Sequence, residues 1–526
     1  WDQYLREQRS KGRPYVLTPQ DLNYSDHDPL SRFPILPRSQ LAVRCTEVDA
    51  HERIQMATQM YLRSIGYITD GGSAGLEGYY DHYLRGQPGH RLSQKIGKDR
   101  YKPLVDKNAL EPRDGYDLIA TLDTRIQDVA QESLLRQLQR FEADHGSVVV
   151  MEVATGNIVA MANLGRNQRG EYTEDRNYAV WETTEPGSTF KLLSAMILLE
   201  QGYADTNTLV DTENGVYRVH DRLVRDSNGK GYGTISLKEA FEKSSNTGIV
   251  KLVYNNFQSH PQDFVDFLYR IGLDQPTGVE IEGEGQPNIV TPKDPRWSGT
   301  TLPWMAFGYN IALTPLQLLS VYNAVANDGK MVKPNMVASV MSHGRVIESF
   351  EPQVLNPAIC SKQTISKLRK MLEGAVAHGT ATNIYNPQLP VAGKTGTSQL
   401  NYWDRQEQGY QSSFAGYFPA DLPKYSCIVT INKPNTSKGY YGNIVAAPVF
   451  MDIAEEVYSQ IPQSPPGPAF DAPSPLPAPG KGSDQPAKRP RPHPLPNLPR
   501  PRGPAAHQPL DTAGLTAPFD GPRPAI

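Results

Sequence analysis

The chain has 526 residues, 38% apolar and 9% aromatic, which is too long for one ordinary domain and apolar enough for sizeable cores. With 53 basic against 56 acidic residues the formal charge is -3, so no broad field gathers nucleic acid or anionic lipid, and neither polyanion is an expected partner. Cys45, Cys360 and Cys427 are odd in number and far apart, which excludes a closed disulfide framework and offers no metal-ligand spacing; no metal or cofactor is expected.

No window approaches the roughly 18 apolar residues of a membrane helix. The first residue is Trp1 and not methionine, so a processed or trimmed form is expected, from which any N-terminal anchor has been lost.

Residues 1–120 read as an irregular, non-catalytic platform rich in Gly, Pro, Arg and Tyr, with one helix expected at "DAHERIQMATQMYLRSIG". Within it "GGSAG", Gly71 to Gly75, matches the G-x-S-x-G pattern of a hydrolase nucleophile elbow. That elbow needs alternating strands and helices around it, which this stretch lacks, so Ser73 is not expected to react.

A boundary follows at "EPRDGYDLIATLDTRIQDVAQESLLRQLQRF", a short strand leading into an amphipathic helix with Ile126, Val129, Ala130, Leu134 and Phe141 on one side. Next, "GSVVVMEVATGNIVAMAN" reads as a hairpin turning at Ala154 to Asn157. In "TEPGSTFKLLSAMILLEQG" the apolar residues run around the whole helix, which predicts burial, and Gly202 is its stop. Ser188 therefore sits at the positive end of a buried helix with Lys191 one turn on.

A serine hydroxyl is a weak nucleophile until a base takes its proton. A lysine amine serves only when neutral, which needs desolvation or nearby positive charge. A buried first turn supplies the former and a second lysine would supply the latter.

Further along, "SLKEAFEKSSNTGIVKL" opens with a capping box, Ser236 with Glu239, and breaks at Ser244 to Asn246, so Ser244 and Asn246 are expected on a loop between helices. "PVAGKTGTSQ", "SSFAGYFPA" and "YSCIVTINKP" read as three successive strands, and "NIVAAPVFMDIAEEVYSQI" as the last helix. Gly393 and Gly396 around Lys394 and Thr395 are expected to let a substrate backbone approach the strand. Strands at both ends of a helical insert imply one sheet built from the two ends, an α+β domain over residues 121–460. From 461 to 526 the proline-rich text cannot bury enough surface to fold, and reads as a disordered spacer.

A serine with lysine three places on also occurs at Ser227 and Lys230, in the glycine-bearing "DSNGKGYG", where no helix would orient the pair. Serine-any-asparagine and Lys-Thr-Gly each occur once. The set Ser188/Lys191, Ser244/Asn246 and Lys394/Thr395/Gly396, in that order, resembles the penicillin-binding protein and serine β-lactamase superfamily. "RNYAVWETTEPGSTFK", "MAFGYNIALTPLQLLSVYNAVANDGKMVKP" and "GTATNIYNPQLPVAGKTGT" are similar to the class B, monofunctional members of the division type, and "GSAGLEGYYDHYLRGQPG" to their pedestal, so the likeness runs from about residue 60 to 460.

What the resemblance implies is a peptidoglycan D,D-transpeptidase, targeted by β-lactam antibiotics, on the periplasmic face of the inner membrane. Ser188 would attack the D-Ala-D-Ala carbonyl of a stem peptide and Lys191 would take the proton. Ser244 and Asn246 would shuttle it and hold the peptide, and Lys394 would add positive charge. Thr395, Gly396 and Thr397 would bind substrate, with the backbone N–H groups of Ser188 and Thr397 as the oxyanion hole. A membrane glycosyltransferase and divisome proteins are the implied partners. A β-lactam sensor and an elongation-type transpeptidase share these motifs. A β-lactamase would need a water-activating glutamate loop between Asn246 and Lys394, and no such text is found there.

Overall fold

The computed structural model describes residues 43–48, 61–69, 72–97, 100–104, 109–402, 404 and 407–460. Among them no helix is long and apolar enough to cross a membrane, and no group of three or more His, Cys, Asp or Glu could hold a metal ion.

The N-terminal part is more regular than its sequence suggests. Strands β1 (Val43–Val48), β2 (Gly89–Gly97) and β3 (Arg100–Pro103) form an antiparallel sheet in that order. β2, "GHRLSQKIG", has only Leu92 and Ile96 as large apolar residues, too sparse an alternation to announce a strand. The helix expected at 49–66 falls largely outside the described residues, and its described end, from Tyr61 on, is a turn. Ser73 is exposed on a two-stranded hairpin.

Strand β4 (Asp117–Ala120) precedes helix α1 (Thr124–Phe141), whose Asp123 side chain caps the first turn by accepting from the Arg125 and Ile126 amides. As its spacing predicts, α1 buries Ile126, Ala130, Leu134 and Phe141. Then come β5 (His145–Glu152), β6 (Ile158–Arg166) and the short β7 (Tyr172–Thr173). A helical region follows: α2 (Lys191–Glu200), the strand β8 (Arg222–Arg225), α3 (Leu237–Glu242), α4 (Asn246–Phe257) and α5 (Pro315–Ala326). The Ser236–Glu239 capping box forms as read.

Strands β9 (Val337–Ser342) and β10 (Arg345–Ser349) join β4 in a sheet of order β10-β9-β4, so a strand before residue 120 pairs with one well beyond it. After α6 (Lys362–Ala377) the chain returns as β11 (Ala392–Leu400), β12 (Gly409–Phe418) and β13 (Tyr425–Asn432), and ends in α7 (Ala447–Gln460). The expected single last helix is broken at Ala446, because Pro448 has no amide to donate and is tolerated only in a first turn.

The principal sheet has six antiparallel strands in the order β11-β12-β13-β5-β6-β7. β13 pairs with β5 over its full length, from Tyr425 opposite Glu152 to Asn432 opposite His145, so the two ends of the domain do build one sheet. Side chains alternate across it. Val148 and Val150 face a cluster with α1 and α7, while Val149 and Met151 face a second cluster that contains α2, α4 and α5. Both faces are covered, which is why "SVVVM" reads as an unbroken apolar run. Every residue of α2 from Lys191 to Leu198 is buried; at about 1.5–3 kcal/mol for each large aliphatic side chain, this helix is anchored far more firmly than any loop beside it.

Candidate active site

Four segments meet at the edge strand β11. The first is Gly187–Phe190, which is a 3-10 turn and not the α-helical first turn the sequence suggested; it runs without a gap into α2. With three residues per turn, positions i and i+3 eclipse, so Ser188 and Lys191 stand one above the other. The turn is fixed through its backbone. Gly187 takes φ +59°, its amide donates to Gly308 O at 3.1 Å, and a β carbon on Gly308 would stand 2.2 Å from Gly187 O. From α5, the Tyr322 hydroxyl donates to Thr189 O at 2.8 Å.

The second segment is the break between α3 and α4. Ser244 takes φ +57°, a left-handed conformation that costs a non-glycine residue on the order of 1 kcal/mol. The twist aims its carbonyl at the Lys191 amine, which donates to Ser244 O at 2.7 Å and to Asn246 Oδ1 at 2.6 Å, with Ser244 Oγ at 3.1 Å. The Asn246 amide is oriented from its other end, where Nδ2 donates to Arg225 O at 2.8 Å. Lys191 is fully buried. Burial pulls its pKa from 10.5 to about 7, against Asp226, whose charge pulls it back up.

The third segment is β11 itself. Lys394 is also fully buried, donating to Thr395 O at 3.0 Å and facing the Phe241 ring. Burial first, and then the neighbouring Lys191 charge, push its amine well below the ordinary lysine range. Burial is the larger cause for both amines and the two lysines repel each other, so the dry cleft disfavours two full positive charges at neutral pH. Thr395 Oγ1 shares a 2.7 Å hydrogen bond with Thr380 Oγ1, and Thr397 Oγ1 accepts from the Gly442 amide at 3.1 Å.

Gly393 and Gly396 do not do what the sequence suggested. A β carbon on Gly396 would lie 2.2 Å from Ser413 Oγ and 2.9 Å from Thr189 Cγ2, and one on Gly393 would lie 2.6 Å from the Phe414 ring. The room these glycines leave is filled by protein. Gly396 lets the strand close on the turn that carries Ser188.

The fourth segment is Tyr440–Ile444, which closes a cleft of about 500 Å³. Ser188, Ser244, Asn246, Thr395 and Thr397 all line it, with Lys191 and Lys394 directly behind. Sequence reasoning missed several neighbours. Thr380 follows α6 in a stretch with no periodicity. Tyr410, Tyr440 and Tyr441 also line the cleft, Tyr410 stacked on Tyr440 at 4.2 Å between ring centroids; Tyr410 and the Tyr440–Tyr441 pair come from separate segments, so no spacing links them. Ser227 lines it too, on an exposed turn, without Lys230.

Residues 146–455 match the penicillin-binding protein transpeptidase domain. The chain belongs to the penicillin-binding protein transpeptidase family. Among curated relatives of that family it is 30% identical over 387 residues to peptidoglycan D,D-transpeptidase FtsI of Escherichia coli K12, covering 72% of this chain and 62% of that protein. It is also 30% identical over 415 residues to the probable peptidoglycan D,D-transpeptidase PenA of Neisseria flavescens, covering 76% of this chain and 96% of that one. The chain thus spans less than two thirds of the length of the Escherichia coli relative. Among solved members, penicillin-binding protein 3 of Mycobacterium tuberculosis complexed with ampicillin is 29% identical with a TM-score of 0.64, over 81% of this chain and 95% of that one. The transpeptidase domain of Burkholderia pseudomallei penicillin-binding protein 3 is 26% identical with a TM-score of 0.56, over 66% and 98%. These likenesses and the six-stranded sheet flanked by helices make the fold α+β, as read from the sequence.

Proposed function

We propose that the chain is a serine D,D-transpeptidase that cross-links peptidoglycan stem peptides ending in D-Ala-D-Ala and is acylated by β-lactams at Ser188. The observation that carries this reading is the Lys191 amine. When neutral it has two N–H groups and one lone pair. Ser244 O and Asn246 Oδ1 can accept only, so they take both N–H groups. The lone pair is left for a hydroxyl proton, from Ser188 directly or through Ser244 Oγ at 3.1 Å. Such an amine is a base poised near neutral pH, beside a hydroxyl held one 3-10 turn away.

In the proposed cycle, Ser188 Oγ bonds to the penultimate D-Ala carbonyl carbon while its proton passes to Lys191. The C–N bond to the terminal D-Ala breaks, and the proton returns through Ser244 to the departing amine. An amine of a neighbouring stem peptide then attacks the ester, forming the cross-link and restoring the Ser188 hydroxyl. The backbone N–H groups of Ser188 and Thr397 would hold the developing oxyanion. The terminal carboxylate would sit against Thr395 and Thr397, and its charge would draw a proton onto Lys394. β11 is an edge strand, so an extended peptide can lie along it.

The resemblance of residues 60 to 460 to division-type class B members is what favours a membrane-anchored, periplasm-facing protein of septal wall synthesis, working beside a glycosyltransferase and divisome partners. The remaining assignments are a platform over 1–120, the transpeptidase domain over 121–460 and a proline-rich tail over 461–526.

Incubation with a fluorescent penicillin followed by peptide mass analysis tests the central step. The expected result is a stable adduct on the Ser188 peptide that Ser188→Ala abolishes and Ser73→Ala leaves intact. Rapid release would point to a β-lactamase, and no adduct would remove the enzyme assignment.

A further inference from the structure

Directly after β8, Asp226 lies 4% exposed among the elements that build the cleft. Its carboxylate meets four donor contacts from one short segment: the Thr247 amide at 2.9 Å, the Thr247 hydroxyl at 2.7 Å, and the Ser245 hydroxyl at 3.1 Å to each oxygen. Ser245 in turn caps α4 by accepting from the Gly248 amide at 2.9 Å. Asn246 stands between these two anchored residues, and its own amide donates to the carbonyl of Arg225, the residue before Asp226. The left-handed Ser244 is the next residue upstream.

The contacts that hold the Lys191 amine therefore all issue from a turn that Asp226 ties down. Backbone bonds anchor Asp226 in its place: its amide donates to Gly215 O at 2.8 Å, and its carbonyl accepts from the Gly229 amide at 3.1 Å. The charged groups bearing on Lys191 are Asp226 and, from β11, Lys394. Near Asp226 stands the Tyr232 ring, with the Lys243 amine 5.5 Å from its centroid.

We propose that Asp226 is a positioning residue for the acylation step: its buried carboxylate clamps the Ser244–Thr247 turn onto the Lys191 amine, and its charge bears on that amine. The inference rests on the reading of Lys191 as the proton acceptor for Ser188. Four donor contacts hold this one carboxylate fixed, so it is part of the cleft's architecture and not a mobile group. Without it, burial and Lys394 would act on Lys191 unopposed, and the amine would be a weaker base.

Two variants separate the clamp from the charge. Asp226→Asn keeps the shape and an acceptor for the Thr247 amide while removing the charge; Asp226→Ala removes both. Two readouts are taken on the full chain: second-order acylation by a fluorescent penicillin between pH 5.5 and 9, and the titration midpoint of the Lys191 side chain by NMR with ¹³C-labelled lysine, assigned against Lys191→Arg. For Asp226→Asn both the acidic limb of the acylation profile and the NMR midpoint should move down by about half a pH unit or more, with a plateau rate that falls less than that of Asp226→Ala. For Asp226→Ala the plateau should fall about tenfold or more, in protein whose circular dichroism and melting show it folded. A purely structural role would leave both midpoints where they were, and that result, or parent-like acylation by Asp226→Ala, overturns the proposal. The NMR midpoint needs no catalysis, so it decides the charge effect even if the parent protein failed to label at Ser188, a failure that would fall on the function reading instead.

Discussion

Lys191 is the residue on which the chemistry turns, and its burial makes a pH prediction. Only the neutral amine can accept a proton, and below about pH 7 the charged form takes over. The acylation rate should therefore rise about tenfold per pH unit up to about 7 and level off above it, measured by stopped flow with a fluorescent penicillin. Lys191→Arg, which stays charged throughout, should lose about 100-fold or more and the acidic limb with it. A rate that falls as pH rises through 7 would mean that the charged amine is the working form. At this scale the Ser188–Lys191 pair was readable because its three-residue spacing is a local, helical fact. The depression of the amine was readable from the apolar surround of α2. What could not be read were Asp226 and Thr380, since those depend on distances between segments far apart in sequence.

At the scale of elements, strands and helices with strong patterns were legible: α1 from its apolar stripe, β5 and β6 from their hairpin, α3 from its capping box. The N-terminal strands were not, because their apolar residues are sparse and their partners distant, as with Val43 opposite Gln94. The break between α3 and α4 was legible as an interruption but not in its handedness. That handedness carries a trade-off. Ser244 at φ +57° stores strain that glycine would not, so Ser244→Gly should raise the melting temperature by about 2–4 °C, for about 1 kcal/mol of released strain. The same change deletes the hydroxyl 3.1 Å from Lys191 Nζ and should lower penicillin acylation by about 100-fold. Differential scanning calorimetry and labelling kinetics on one preparation read both. A variant that is less stable, or as quickly labelled, would show that the twist stores no strain or that the hydroxyl takes no part.

Across the whole molecule, the sheet joins sequence ends almost 300 positions apart, and buried ionisable groups sit at the seams. At one seam His145, at the start of β5, meets Asp144 and Glu182; although burial opposes its charge, the two carboxylates raise its pKa to about 9 and tie the sheet to the segment that leads to Ser188. At another, Glu174 lies 3% exposed after β7, and its Oε2 accepts from the Arg63 amide at 3.3 Å, linking the principal sheet to the N-terminal part. Burial raises the Glu174 pKa from 4.5 to about 8, more than the amides of Arg63, Asn163 and Leu62 lower it. Between those two values the unfolded chain has released this proton while the folded chain still holds it. Folding therefore loses stability as pH rises from about 4.5 to about 8, and the loss is complete above that. Glu174→Gln keeps an acceptor for the Arg63 amide and has no proton to lose. Its melting temperature should match that of the parent protein near pH 4.5 and exceed it by about 3 °C or more at pH 8. The difference between the two proteins, followed across that range, isolates this one group from every other titration in the chain; a difference that stays flat would mean that the seam is wet enough for the carboxylate to ionise freely.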